Sequence, residues 1–220
     1  MIPSAPRVAL PPGLYVITDR GLSRGRSQEE VVRAAVKGGA AVVQLREKML
    51  PRPELLQLAL RLRDICREGG AAFIVNDDPE LAAEVEADGV HVGPEDPSPA
   101  EARRIVGRTA AIGWSVKGSA ELAREAAGLT VDYVAAGAIF PTQTKAGAQV
   151  VGVHSIRSVK EASGLPVAAI GGITLENVAS VIRAGADWAC VVSAVVAADD
   201  VEAAARSFTE TIEQAMAQRS

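Results

Sequence analysis

The sequence predicts an α/β protein folded as a single (β/α)8 barrel, and three observations point there. Eight short apolar runs, rich in Val and Ile, alternate strictly with amphipathic stretches. That is the pattern of buried parallel strands joined by crossover helices. No Gly-x-Gly-x-x-Gly follows the first run, where a dinucleotide-binding open sheet would carry it. The runs are filled by branched aliphatics and Ala, with only 3% aromatic residues in the chain, which suits a closed barrel interior.

In order, the strands are predicted at Leu14–Thr18, Ala41–Arg46, Ala72–Asn76, Gly89–Val92, Ala110–Trp114, Tyr133–Gly137, Val167–Gly171 and Trp188–Ser193. Helices fill the intervals. Ser27 precedes Glu29 and Glu30, Ser119 precedes Glu121, and Thr174 precedes Glu176 and Asn177. A hydroxyl that caps free amides, followed by an acid in the first turn, is start chemistry. From Pro53, the residues Leu55, Leu56, Ala59, Leu60 and Leu62 form an apolar stripe that Gly69-Gly70 ends. A weak repeat marks the helix-to-strand turns: Gly38–Val43, Ala87–Val92, Thr130–Val134 and Ala184–Trp188 each set a small or acidic residue just before a strand. These turns are expected to be turn chemistry alone.

Composition narrows the function. The 220 residues are 48% hydrophobic and 23% charged with a net charge of −4, an ordinary globular balance that argues against a nucleic-acid surface. No apolar run approaches the roughly 18 residues of a membrane span. Cys66 and Cys190 sit in apolar, patterned segments and read as core thiols of a cytoplasmic protein. Residues 1–13, with prolines at 3, 6, 11 and 12, read as a loosely ordered extension, and 14–220 as the catalytic barrel. The extension is expected to be removable, tested by trimming Met1–Pro11. Nothing in the composition fixes an oligomeric state, which leaves a homo-oligomer open.

A barrel of this kind works at the carboxyl ends of its strands. There the second strand ends in Gln44, Arg46 and Lys48, which alternate and are expected to share one face. Two cations and an amide converging there suit a bound anion; the alternative is an internal salt bridge to Asp77 or Asp78. Asp77 and Asp96 close the third and fourth strands, with Asn76, Asp78 and Glu95 beside them. Hard oxygen ligands beside an anion site suit Mg2+, which takes one or two carboxylates and shares phosphates. Helix capping is the other reading: Asp78 is expected to cap and Asp77 to ligate, while Asp96 could do either. Ser115 ends the fifth strand. Thr142, Thr144 and Lys145 lie in the longest connection, which could close as a lid. Gly171-Gly172 and Ser193 form a second, amide-rich anion site. His91 reads as a satisfied core residue and His154 as surface. Trp114 and Phe140 either wall a flat ligand or simply pack. Nothing in the sequence patterns as a nucleophilic triad, since neither His91 nor His154 has a plausible Ser or Cys partner pattern.

These residues resemble the thiamine-phosphate synthase (thiamine-phosphate pyrophosphorylase) family. The matching stretches are Leu14–Arg20, Val43–Lys48, Ile74–Asp78, Ala87–Asp96, Ile139–Lys145 and Ala169–Asn177, in order over nearly the whole chain. The resemblance implies a TIM barrel and a transferase. Hydroxymethylpyrimidine pyrophosphate would lose pyrophosphate, and the thiazole phosphate nitrogen would attack the exposed methylene. It implies that Gln44, Arg46, Lys48, Asn76 and Lys145 contact the pyrimidine substrate and its pyrophosphate, and that Asp77 and Asp96 hold Mg2+. Ser115 would help hold the pyrimidine and the leaving group. Thr142, Thr144, Gly172, Val192 and Ser193 would line the thiazole phosphate. The substrates are small molecules, with no nucleic acid or membrane partner. The chain departs from the family at Pro94, Ala138 and Lys117, where a glutamine, a proline and often a histidine stand. Rival readings are a thiazole tautomerase on the same barrel, whose proton-transfer histidine would be expected near Lys117, a phosphosugar epimerase, and a non-catalytic thiazole-phosphate binder.

Overall fold

The structure, a computed structural model, describes residues 9–142, 144 and 147–219. Eight parallel strands close in sequence order: β1 (Gly13–Ile17), β2 (Val42–Leu45), β3 (Ala72–Asn76), β4 (Gly89–Val92), β5 (Ala111–Ser115), β6 (Tyr133–Ala136), β7 (Val167–Ile170) and β8 (Trp188–Val191). β1 pairs with both β2 and β8, so the sheet has no free edge. The expected (β/α)8 barrel is present, with each strand ending within two residues of its expected bounds.

The helices are α1 (Gln28–Lys37), α2 (Arg52–Gly69), α3 (Pro79–Glu84), α4 (Pro99–Val106), α5 (Ala120–Ala127), α6 (His154–Ser163), α7 (Val178–Arg183), α8 (Ser193–Val196) and α9 (Val201–Ala217). Ser27 and Glu30 form a reciprocal capping box on α1, Ser119 accepts the Leu122 amide, and α2 stops at Gly70 in the left-handed region. Two starts differ from expectation. The helix foreseen at Thr174 begins at Val178, because the Asn177 side chain accepts the Thr174 N–H at 2.9 Å and closes a turn first. The last helix divides into α8 and α9, because Asp200 starts a new one by accepting the Ala203 N–H at 2.9 Å.

Strand residues alternate between two layers. Val16, Val43, Leu45, Phe73, Val75 and Ile112 face the helices, while Tyr15, Val42, Ile74, Tyr133 and Cys190 fill the interior. Trp114 belongs to the outer layer, and Phe140 packs against it. The pleat that turns Ser115 inward turns Trp114 outward, so neither aromatic ring is needed to wall a ligand. His91 lies in the interior with both ring nitrogens bonded, as a satisfied core histidine should, and His154 is exposed.

The rim where the strands begin does more than turn. Asp88, Asp132 and Asp187 stand immediately before β4, β6 and β8. Each accepts a backbone N–H of the preceding strand, from Phe73, Ile112 and Val167 respectively, at 2.8 Å in every case. Two of them also hold a helix cation: Arg103 on Asp132 at 2.6 Å and Lys160 on Asp187 at 2.9 Å. These charge-assisted bonds satisfy strand ends that water would otherwise have to reach, at about 1.5–3 kcal/mol each. Among the described residues, no helix is long and apolar enough to cross a membrane.

Candidate active site

At the opposite rim the polar residues divide into two arcs. The first spans β2 to β5. Gln44 is buried in the interior, and its Nε2 donates to the Tyr15 hydroxyl at 2.7 Å. β2 ends at Leu45, so Arg46 and Lys48 stand on the loop beyond it, with side chains 40% and 59% exposed. Thr18, itself buried, accepts the Arg46 N–H at 3.1 Å and fixes where that side chain departs. Glu47 turns the other way, accepting from Gln28 Nε2 and the Met49 N–H, both at 2.9 Å, and so braces the loop. The two cations do find carboxylates. Lys48 lies 3.4 Å from Asp77, and Arg46 lies 3.8 Å from Asp19. Exposed, loose pairs of this kind contribute little and exchange readily for phosphate oxygens.

Asp77 follows β3 at φ +62°, a conformation that non-glycine residues seldom hold, and its N–H donates to the His91 carbonyl at 2.8 Å. Burial, then the neighbouring Asp96 carboxylate, raise the Asp77 carboxyl above the ordinary carboxylate range, against the pull of Lys48. Asp78 caps α3 through the Leu81 N–H at 2.7 Å, as expected, and pairs with Arg52 at 2.6 Å. Asp96 caps no helix. α4 is capped by Ser98 with Glu101, and Asp96 instead accepts the Gly93 N–H at 2.6 Å. Asp77 and Asp96, beside Lys48, are the residues here that could hold a small hard cation. Among the described residues no cluster of three or more such ligands exists, so the remaining donors would have to be water and substrate. A cleft of about 740 Å³ opens here, lined in part by Lys48, Asn76 and Asp77.

The second arc spans β6 to β8. Beyond β6 the chain keeps pairing with the extension of β7, through Ile139 N–H to Ile170 at 2.9 Å and Phe140 N–H to Gly171 at 3.0 Å. The Gly137–Ala138 peptide is cis. The base of the long connection closes where the Val151 N–H donates to the Ala138 carbonyl at 2.8 Å. Gly171 and Gly172 have φ of +103° and +63°, and a Cβ on Gly172 would lie 2.4 Å from the Pro141 carbonyl oxygen. The glycine pair is therefore demanded by this chain packing as well as by any ligand. Asn177 Nδ2 donates to the Gly172 carbonyl at 3.0 Å and holds the turn. Thr142 accepts the Thr144 N–H at 3.2 Å, and Ser193 is exposed at the start of α8, directly after Val192. Lys145 lies outside the described residues.

Sequence reasoning missed Thr18, Glu47 and Asn177, although all three sit inside the stretches that carry the resemblance. Each acts on a backbone group or a loop neighbour, which side-chain patterning alone does not reveal.

A family model described as thiamine monophosphate synthase matches residues 14–195, which contain both arcs. The chain belongs to this family. It is 49% identical over 196 residues to the thiamine-phosphate synthase of Chloroflexus aurantiacus, covering 89% of this chain and 90% of that protein. The Moorella thermoacetica thiamine-phosphate synthase is 43% identical, covering 92% and 96%. Among solved structures, the thiamine phosphate pyrophosphorylase from Pyrococcus furiosus superposes with a TM-score of 0.85 at 39% identity, covering 92% of this chain and 96% of that one. The family match thus takes in nearly the whole barrel, short of α9, and the family's transferase activity is the frame for the site.

Proposed function

We propose that this barrel condenses 4-amino-5-hydroxymethyl-2-methylpyrimidine pyrophosphate with thiazole phosphate, giving thiamine phosphate and pyrophosphate. The observation that carries the reading is the division of the mouth within the family-matched region. One arc gathers Lys48, Arg46 and the Asp77–Asp96 pair, and the other offers hydroxyls and glycine turns.

Gln44 and Asn76 orient the pyrimidine, and Ser115 donates to it or to the leaving group. The methylene C–O bond breaks with its electron pair leaving on pyrophosphate. Arg46, Lys48 and Lys145 neutralise the charge that grows there. Asp77 and Asp96 fit Mg2+, which when bound supplies further neutralisation of that anion. Thr142, Thr144, Gly172, Val192 and Ser193 hold the thiazole phosphate so that its ring nitrogen faces the methylene carbon and closes the new C–N bond. The connection between β6 and α6, part of which lies outside the described residues, would be the segment that keeps out water able to trap the cation. No proton transfer is needed at the reacting carbon, so the contact of His91 Nε2 with Ser115 Oγ at 3.0 Å, a histidine–serine pairing that the sequence pattern did not foresee, has no nucleophilic role in this reaction. The catalytic unit is 14–220. A cytoplasmic setting keeps the buried thiols Cys66 and Cys190 reduced.

The test is a coupled assay of purified protein with both substrates, with and without Mg2+, scoring pyrophosphate and thiamine phosphate together. Mg2+-dependent formation of both in equal amounts is expected. Binding of thiazole phosphate without either product would overturn the reading in favour of a binder or tautomerase.

A further inference from the structure

Polar side chains from five strands meet inside the barrel, beneath the mouth. Gln44 Nε2 donates to the Tyr15 hydroxyl at 2.7 Å, and the Tyr15 and Tyr133 hydroxyls lie 3.1 Å apart. The Tyr133 hydroxyl is 3.1 Å from His91 Nδ1, and His91 Nε2 is 3.0 Å from Ser115 Oγ. The chain thus runs from β2 through β1, β6 and β4 to β5, joining two residues assigned above to the same substrate. β5 makes room for it: a Cβ on Gly113 would lie 2.1 Å from Tyr133 Cζ and 2.4 Å from His91 Nδ1.

Each hydroxyl and the neutral ring carry one proton, and among the described residues the Tyr15 and Tyr133 hydroxyls bond only within this chain, so the arrangements that leave neither buried tyrosine proton unused run all one way or all the other. With the Gln44 amide donating, the Tyr15 proton goes to Tyr133 and the Tyr133 proton to Nδ1. The ring proton then sits on Nε2 and goes to Ser115 Oγ. The Ser115 proton is left free to point toward the mouth. Reversing the amide reverses every bond and turns that proton inward. We propose that these residues form a directional relay in which the Gln44 amide, acting through Tyr15, Tyr133 and His91, sets the side on which the Ser115 hydroxyl donates. His91 and Tyr133 are then positioning residues. A core histidine that was merely satisfied would be served equally by either direction. The functional consequence rests on the proposed reaction; the direction itself does not.

The test reads the tautomer of His91 by long-range 1H–15N correlation on the full-length free protein. The only other histidine is His154, and H154Q assigns the two signals. The wild-type ring is expected to be protonated on Nε2. Gln44→Glu, read at a pH where the introduced carboxyl is ionised and offers Tyr15 acceptors only, is expected to move the proton to Nδ1, three hydrogen bonds away from the substituted side chain. In kinetics, Tyr133→Phe and Ser115→Ala should each lower kcat by roughly tenfold. The double variant should be no slower than S115A, and KM for thiazole phosphate should not change. A wild-type ring protonated on Nδ1, a tautomer unmoved by Q44E, or additive losses in the double variant would each overturn the relay. Absence of synthase activity with the expected tautomers would overturn the reaction and leave the relay standing. Where Y133F fails to fold, Tyr15→Phe breaks the same chain one bond earlier.

Discussion

The two rims of this barrel are built from the same residue types and use them in opposite ways. Where the strands begin, Asp132 and Arg103 are 16% and 13% exposed, 2.6 Å apart, and tied to backbone groups as well. Where the strands end, Lys48 and Asp77 are 59% and 30% exposed, 3.4 Å apart, and Asp77 is strained and crowded by a second carboxylate. Cleft size does not separate the two. A cleft of about 470 Å³ lined by Arg157, Lys160, Arg183 and Arg219 opens at the first rim, against about 740 Å³ at the second. In the smaller one, Lys160 and Arg219 already donate to the Gly185 and Ala186 carbonyls at 3.0 and 2.7 Å. Commitment of the charges, rather than their number, distinguishes a rim that holds the fold from one that waits for a ligand.

The largest effects should split along this line. Lys48→Ala is expected to lower kcat/KM by about 10²–10³-fold with little change in Tm, since under the proposed reaction it removes a donor to the growing anion, and in the structure it removes only a loose ion pair. Asp132→Ala should do the reverse. It strips a half-buried ion pair and orphans the Ile112 N–H, so about 3 kcal/mol of stability should go while the activity of the folded fraction stays unchanged. Thermal denaturation and steady-state kinetics on both variants decide it. A catalytic loss in D132A at full folding would break the comparison.

Between the rims lies the interior, and pH reads it. Burial pushes the His91 imidazole from 6.5 down to about 4. The unfolded chain therefore takes up a proton that the folded one refuses. Stability should be complete above pH 6.5 and fall as pH drops from there to about 4, by up to about 3 kcal/mol. His91→Gln should flatten that part of a urea-denaturation pH series. An unchanged slope would mean that other groups carry it.

A smaller effect sharpens the contrast at Asp77 itself. Asp77→Asn keeps a residue that tolerates the left-handed backbone and removes the repulsion from Asp96. Tm is expected to rise by roughly 1–3 °C while activity falls. A lower Tm would show that the Lys48 pair outweighs the crowding.

Much of this was legible in the residues. The eight strands show because parallel strands covered on both faces must be nearly continuous apolar runs. Arg46, Lys48, Asp77 and Ser115 show because strand ends are where a barrel presents chemistry. What stayed hidden depends on which strands face each other. The contact of Tyr15 on β1 with Tyr133 on β6 crosses the barrel, and the grip of Asp132 on Ile112 needs the register of β5 against β6. Neither is encoded in local spacing. Trp114 is different: the alternation applied to Gln44 and Arg46 also places it opposite Ser115, so its outward face could have been read.

The smallest expected effect concerns the closed end. Residues 1–13 are the extension expected to be removable, and the first described residues refine where the cut should fall. The Pro11 carbonyl accepts the Trp188 indole N–H at 2.7 Å, and Leu10 packs on the interior cluster. Trp188 is buried there, 5.4 Å from the Tyr133 ring, so its N–H would lose its partner if Pro11 were removed. Trimming Met1–Val8 should therefore leave both Tm and activity unchanged. Trimming Met1–Pro11 should cost about 1–2 kcal/mol of stability, the price of one buried orphan donor, with kcat preserved because the mouth is at the other end. Equal Tm values for the two truncations would remove Pro11 from the structural rim, and a fall in kcat with the longer cut would tie the closed end to the site through Tyr133.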